Sequence, residues 1–129
     1  MRILILEDTE ERIYKFKQKL SGCSVKITKD TKECIELLKS DGPWDYIFLD
    51  HDLSNIYEKP GDGTGYEVAK FIADHPEVCP RRILIHTMNN IGAAAMLNVL
   101  GDVNIKATYI LWEKLIGLNK EDDKIKIDR

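Results

Sequence analysis

Cysteine is scarce in this chain of 129 residues, and its three cysteines follow no metal-binding pattern. Cys23, Cys34 and Cys79 are odd in number, and no two of them form a C-x-x-C pair. The sequence therefore predicts neither a disulfide framework nor a zinc site. Cys23 and Cys34 stand among apolar neighbours and are expected to be small core residues. Reduced thiols are typical of the cytosol, so we expect a cytoplasmic protein.

Long apolar runs and an excess of basic residues are also lacking. The first apolar run, residues 3–6, ends at Glu7 and is too short for a signal peptide or a membrane span. The formal net charge is −3, which argues against broad binding of duplex nucleic acid. A single nucleotide or an RNA end remains compatible with this charge.

Short apolar runs alternate with amphipathic helical patterns along the whole chain. Strands are predicted at residues 3–6, 23–28, 45–49, 82–85 and 105–111. Helices are predicted at residues 10–20, 30–40, 64–73, 91–100 and 112–116. This alternation indicates an α/β fold, a three-layer doubly wound five-stranded parallel sheet of flavodoxin-like order 2-1-3-4-5. We expect it to span residues 1–118 and to leave a polar tail at 119–129.

Four of the helices carry start signals. Asp8 with Glu11, Asp30 with Glu33 and Thr64 with Glu67 have the spacing of capping boxes. Asn89 or Asn90 is expected to cap the fourth helix, and Gly101 to follow its end.

Acidic residues follow the strands at 3–6 and 45–49. They are Glu7, Asp8, Asp50 and Asp52. In the expected topology these strands are neighbours, and ligands bind at their carboxyl ends. Crowded carboxylates repel one another, and a hard cation such as Mg²⁺ or Mn²⁺ relieves the conflict. Asp8 could instead serve only as a helix cap, and Asp52 is equally compatible with a solvated loop.

Histidines and anion-binding groups are predicted at the same edge. His51 and His86 follow strands and can act as general acid and base, together with Asp50 as a catalytic carboxylate. A lone histidine at a strand end is more often structural. The predicted phosphate-binding groups are a hydroxyl and the start of the fourth helix: Thr87, Asn89, Asn90 and Gly92.

At these positions the chain resembles a response-regulator receiver domain. Receivers have an acidic pair after strand one, a phosphoacceptor aspartate after strand three, and Thr or Ser after strand four, which match Glu7-Asp8, Asp50 and Thr87. They also end strand five with a lysine. This chain has Tyr109-Ile110-Leu111-Trp112 there, with Lys106 at the opposite end of the strand.

Three motifs resemble a narrower group, the cyclic-phosphate-processing receiver-like family. They are LDHDL at 49–53, TGYEVA at 64–69 and IHTMNNIGAAAM at 85–96. The resemblance implies a receiver fold with a retained metal site and a histidine-bearing pocket. It also implies action on cyclic phosphates, either RNA 2′,3′-cyclic ends or cyclic nucleotides.

Three functions follow as hypotheses. The first is a metal-dependent phosphoesterase that opens a cyclic phosphodiester in a small phosphorylated ligand or RNA end. The second is a signalling receiver in which Asp50 becomes phosphorylated, which the missing strand-five lysine disfavours. The third is a module that binds a phosphorylated ligand without chemistry.

Overall fold

The structure, a computed structural model, describes residues 1–52 and 63–116. The described strands are β1 (Arg2–Leu6), β2 (Ser24–Thr28), β3 (Tyr46–Leu49), β4 (Arg82–Ile85) and β5 (Thr108–Tyr109). The helices are α1 (Glu10–Lys19), α2 (Thr31–Ser40), α3 (Gly65–Asp74), α4 (Asn90–Gly101) and α5 (Trp112–Ile116), with a 3₁₀ turn at Pro76–Val78. Residues 53–62, between β3 and α3, lie outside the described residues, and so does the predicted tail at 119–129.

All five strands are parallel and follow the order β2-β1-β3-β4-β5. This confirms the predicted doubly wound sheet. Leu6 pairs with Leu49, and Leu49 pairs with Ile85. The residues that follow these partners therefore emerge side by side at one edge of the sheet.

Alternation along β1 explains the layers. Ile3 and Ile5 pack on one face with Phe16 of α1 and Leu115 of α5. Leu4 and Leu6 pack on the other face with residues of α2, α3 and α4. Every one of these strand residues is fully buried, and each such burial contributes about 1.5–3 kcal/mol.

The helix starts confirm some of the predicted caps and correct one. Asp30 accepts a hydrogen bond from the N–H of Glu33 (3.0 Å), and Asn89 accepts one from Gly92 (2.8 Å), as predicted. The predicted cap at Asp8 is wrong, because Thr9 occupies that position. The Glu7 carboxylate turns back and accepts the N–H groups of Asp8 and Thr9, both at 3.1 Å.

The start of α3 departs from the predicted capping box. Thr64 is the N-cap residue, but its side chain makes no capping hydrogen bond. The Glu67 carboxylate accepts the N–H of Gly63 (2.8 Å) and the hydroxyl of Thr31 (3.2 Å). It therefore ties the start of α3 to the start of α2.

Three smaller predictions are corrected. β5 is much shorter than residues 105–111, because Ile105 donates its N–H to Leu100 and so closes the end of α4. Gly101 is the last residue of α4 and does not follow it. Cys34 is buried as predicted, whereas Cys23, just before the edge strand β2, is partly exposed.

No helix in the described part of the chain is long and apolar enough to span a membrane.

Candidate functional site

A cleft of about 320 Å³ opens at the carboxyl ends of β1, β3 and β4. Its lining residues are Asp8, Thr9, Arg12, Asp50, Asp52, Thr87 and Met88. The sheet sets this position, since Asp50 donates its N–H to Leu6 (3.2 Å) and His86 donates its N–H to Leu49 (3.0 Å). The volume is at the lower end of the range of small-molecule sites.

The inner wall is formed by Asp50 and Arg12, which line the cleft, with Glu7 and His86 buried behind them; we name these four residues the acidic cluster. Glu7 and His86 are fully buried, and Asp50 is 2% exposed. Glu7, Asp50 and His86 each offer one ligand atom within 4.8 Å of the others. Nη1 of Arg12 lies 3.4 Å from Asp50 Oδ2 and 3.7 Å from Glu7 Oε1.

Burial and a like charge act together on Asp50. Burial, and then the neighbouring charge of Glu7, raise the pKa of Asp50 to about 7. Arg12 and the hydroxyl of Thr87 act in the opposite direction but are outweighed. The carboxylate pair is therefore under electrostatic conflict at neutral pH, which is the condition that a bound cation relieves.

Glu7 is held in its charged form. Burial opposes its ionisation, but the hydrogen bond from His86, the N–H of Thr9 and the charge of Arg12 outweigh burial and lower the pKa of Glu7. Burial also lowers the pKa of His86, against the effect of Glu7. A neutral His86 that donates Nε2–H to Glu7 Oε1 (3.0 Å) is consistent with both the lowered pKa of Glu7 and the lowered pKa of His86.

His86 lies behind Glu7 and does not line the cleft. Its ring contacts Phe16 edge-on (centroids 5.2 Å apart) and Trp112 (6.0 Å). Among the buried side-chain nitrogen and oxygen atoms of residues 1–52 and 63–116, the Nδ1 atom of His86 alone has no hydrogen-bond partner. The geometry therefore gives His86 the position of a residue that orients Glu7.

The outer wall is formed by Asp52, which lines the cleft, with His51, Asn89 and Gly92 beside it; we name these four residues the His51 network. Asp52 Oδ1 lies 2.8 Å from His51 Nδ1 and accepts a hydrogen bond from Asn89 Nδ2 (3.2 Å). These contacts, the His51 bond first, lower the pKa of Asp52. The network lies against the N-terminus of α4.

The predicted phosphate-binding residues separate into two groups. Thr87 lines the cleft, and its hydroxyl oxygen accepts the N–H of Asn89 (3.1 Å). The first turn of α4 is covered, because Asn89 caps Gly92 and a Cβ on Gly92 would lie 2.5 Å from the His51 ring. Asn90 points elsewhere and accepts the hydroxyl of Tyr109 (3.0 Å).

Arg12 was not among the predicted site residues. It lies in the first turn of α1, which begins just after the end of β1. That placement is the signal that could have identified it, since the first turn of a helix that follows a strand in a parallel sheet lies over the ligand-binding edge. Trp112, whose ring lies 5.5 Å from the Arg12 guanidinium, was also missed.

The residues present fit a hard divalent cation. Glu7 and Asp50 are close carboxylates, and Asp8 lines the same cleft. Carboxylate oxygens are the ligands that Mg²⁺ and Mn²⁺ prefer. Asp52, also a predicted ligand, lines the same cleft, and its carboxylate contacts His51 and Asn89.

Fold and site together define a receiver-like α/β domain with an acidic cluster at the β1–β3 edge. The chain belongs to the cyclic-phosphate processing receiver domain family, which matches it over residues 2–102. No curated protein matches the chain.

Solved structures with the same fold include response-regulator receiver domains. A two-component response regulator from Clostridium difficile is 24% identical, with a TM-score of 0.65, and the match covers 94% of this chain and 87% of that one. A CheY-like receiver domain protein from Methanospirillum hungatei JF-1 is 19% identical, with a TM-score of 0.61 and coverages of 86% and 80%. A response regulator from Burkholderia pseudomallei is 17% identical, with a TM-score of 0.62 and coverages of 86% and 59%. At these identities the likeness shows the fold alone.

Proposed function

We propose that this domain binds a cyclic phosphate ester in the cleft and opens the ring by divalent-metal-dependent hydrolysis. The observation that carries the proposal is the buried Glu7–Asp50 pair, whose conflict raises the pKa of Asp50 to about 7 beside a cleft that also holds Arg12 and Thr87. Membership of the cyclic-phosphate processing family supports the choice of ligand.

Glu7 and Asp50 would hold Mg²⁺ or Mn²⁺, with Asp8 at the rim of the cleft. The bound cation would neutralise charge on the phosphoryl oxygens and make water more acidic. His86 keeps Glu7 ionised and fixed in orientation through the 3.0 Å hydrogen bond. The Thr87 hydroxyl, at the cleft surface, is placed to donate to a phosphoryl oxygen.

We assign the acid and base work to His51, which does not itself line the cleft but is bonded to Asp52, which does. Its Nδ1 is fixed by Asp52 at 2.8 Å, an arrangement that sets the tautomer and leaves Nε2 for proton transfer. In the reaction, the oxygen of a water molecule bonds to phosphorus and one ring P–O bond breaks. One proton of the attacking water passes to His51. The leaving alkoxide takes a proton from solvent water, and His51 returns its own proton to the solvent. The product is a phosphate monoester.

The test is incubation with nucleoside 2′,3′-cyclic phosphates and Mg²⁺, with the monoester measured by chromatography. Wild-type protein is expected to give the product, and Mg²⁺ alone is expected to raise its melting temperature. Asp50→Asn should lose both effects. Asp52→Asn should lose turnover but keep the thermal shift. The control, Asp102→Asn, changes an exposed carboxylate at the opposite end of α4. Wild-type protein with neither product nor a thermal shift would contradict the proposal, and a thermal shift from the cyclic nucleotide without product would reassign the domain to ligand binding.

A second candidate function is that of a phosphoacceptor. Asp50 follows β3 and lines the cleft together with Thr87, and the Burkholderia pseudomallei structure contains a phosphorylated aspartic acid and a calcium ion on the same fold. In that function the Asp50 carboxylate would take a phosphoryl group from a donor. Acetyl phosphate with Mg²⁺ should then add one phosphoryl mass to wild-type protein and none to Asp50→Asn. An unchanged wild-type mass would exclude this function.

A further inference from the structure

Arg12 is the one lysine or arginine that lines the cleft in the described part of the chain. Its guanidinium group makes three contacts in the site. Nη1 approaches Asp50 Oδ2 and Glu7 Oε1, and the group lies over the Trp112 ring at 5.5 Å. One cation therefore compensates two buried carboxylates.

The two ion pairs are long. Charge-assisted hydrogen bonds of this type are about 2.7–2.9 Å, whereas Arg12 lies at 3.4 Å and 3.7 Å from its two partners. Its side chain is 23% exposed, while those of Glu7 and Asp50 are 0% and 4% exposed. The carboxylates are thus fixed in the interior, and the guanidinium approaches them from the solvent side without being locked to either.

A divalent cation would compete with Arg12 for these oxygens. With both carboxylates ionised, the cluster carries one net negative charge, and a divalent cation would make it net positive. The guanidinium would then be repelled from the ion and would lose its two partners. A phosphoryl group in the cleft would offer Arg12 a new anionic partner, and guanidinium groups bind phosphate well.

We propose that Arg12 is an exchangeable cation, paired with Glu7 and Asp50 when no divalent ion is bound and transferred to the ligand's phosphoryl group when an ion takes the carboxylates. The ion and the phosphate then bind cooperatively through Arg12. This inference rests on the proposed function, because it requires that the carboxylates bind a divalent cation.

The exchange predicts effects of opposite sign in one variant. Arg12→Gln removes the competitor and should tighten Mn²⁺ binding by at least about threefold. The same change should weaken binding of inorganic phosphate to the Mn²⁺-loaded protein by about tenfold. An arginine with a merely structural role would weaken both or neither.

Trp112 provides a direct readout of where Arg12 lies. In a Trp44→Phe background, Trp112 is the single tryptophan of the chain. Mg²⁺ should then change the Trp112 emission when Arg12 is present and leave it unchanged in Arg12→Gln. Mg²⁺ is used for this titration in place of Mn²⁺, because Mn²⁺ is paramagnetic and would quench Trp112 in both proteins. Mn²⁺ affinity is measured independently by electron paramagnetic resonance of the free ion in the protein with both tryptophans.

Two further variants complete the design. Lys17→Gln makes the same charge change at an exposed position of α1 and should alter neither affinity. Arg12→Lys keeps the charge on a different head group, so Mn²⁺ binding should stay near the wild-type value while phosphate binding is partly retained. Circular dichroism verifies that each variant is folded.

The outcomes separate the inference from the function on which it rests. If wild-type protein binds no Mn²⁺, the proposed function fails and the inference with it. If wild-type protein binds Mn²⁺ and phosphate but folded Arg12→Gln binds Mn²⁺ equally or more weakly, the exchange alone is overturned.

Discussion

In the acidic cluster, two buried carboxylates share one loosely placed guanidinium, whereas the members of the His51 network satisfy one another at ordinary distances. The pKa of Asp50 is raised to about 7, mainly by burial and by Glu7, and that of Asp52 is lowered, mainly by its bond to His51. The pKa values of two aspartates separated by one residue are thus shifted in opposite directions. The contrast teaches that repulsion between buried carboxylates identifies a place for a cation, whereas satisfied hydrogen bonds identify a fixed scaffold beside it.

The largest expected effect is at Gly65, which supports both walls. A Cβ there would lie 1.9 Å from the Asp50 carbonyl oxygen, and backbone cannot give way as a side chain can. Gly65→Ala should lower the free energy of unfolding by about 3 kcal/mol, measured by denaturant titration. The control is Gly101→Ala, where a Cβ meets nothing within 4 Å. Equal stabilities of the two variants would contradict the close packing of α3 on Asp50.

Next in size is the effect of neutralising each aspartate in turn, without divalent ions. Because the folded-state pKa of Asp50 is raised, its contribution to stability is complete below about pH 4 and is lost as the pH rises through about 7. Asp50→Asn should therefore become more stable than wild type as the pH rises, by about 2 kcal/mol at pH 8. Thermal unfolding between about pH 5 and pH 8 measures this difference.

Asp52→Asn sharpens the comparison. The lowered pKa of Asp52 means that its contribution is lost only on acidification below its unfolded-state value of about 4. The variant should be less stable than wild type by under about 1 kcal/mol, with no trend across the same pH window. If the stabilities of Asp50→Asn and Asp52→Asn changed with pH in the same way, the described electrostatic difference between the two walls would be contradicted.

An effect as small as that of Asp52→Asn is expected at the cap of α4. Asn89→Ala removes the bond to Gly92 and one partner of Asp52, and should cost about 1 kcal/mol. Asn90→Ala removes only the contact with the Tyr109 hydroxyl and should cost less. Since the acidic cluster does not depend on this cap, Mg²⁺ should raise the melting temperatures of both variants as it does for wild type. A loss of that shift in Asn89→Ala would show that the two walls are coupled.

The fold was predictable because the hydrophobic pattern and the topology rules leave few alternatives. Uninterrupted apolar runs identify strands that are buried on both faces, and a parallel sheet then collects Glu7, Asp50 and His86 at one edge. β5 was overestimated because an apolar pattern does not reveal which residues close the preceding helix. Ile105 fits a strand by composition but bonds to Leu100.

The site was predictable in its backbone positions but not in its side-chain partners. Sequence position places His86 at the edge of the sheet, yet whether its ring faces the cleft or the space between Phe16 and Trp112 depends on packing. Gly92 was expected to admit a phosphate, and the His51 ring occupies that space. Arg12 carries no motif and becomes visible only once α1 is placed over β1.

The chain leaves the sheet at His51 and returns to the same point, where the Gly65 N–H bonds to the His51 carbonyl oxygen at 3.0 Å. That single bond ties the residue after Asp50 to the first residue of α3. For a protein engineer it is an anchor: we expect changes in chain length between His51 and Gly65 to leave Asp50 in position as long as this bond is kept.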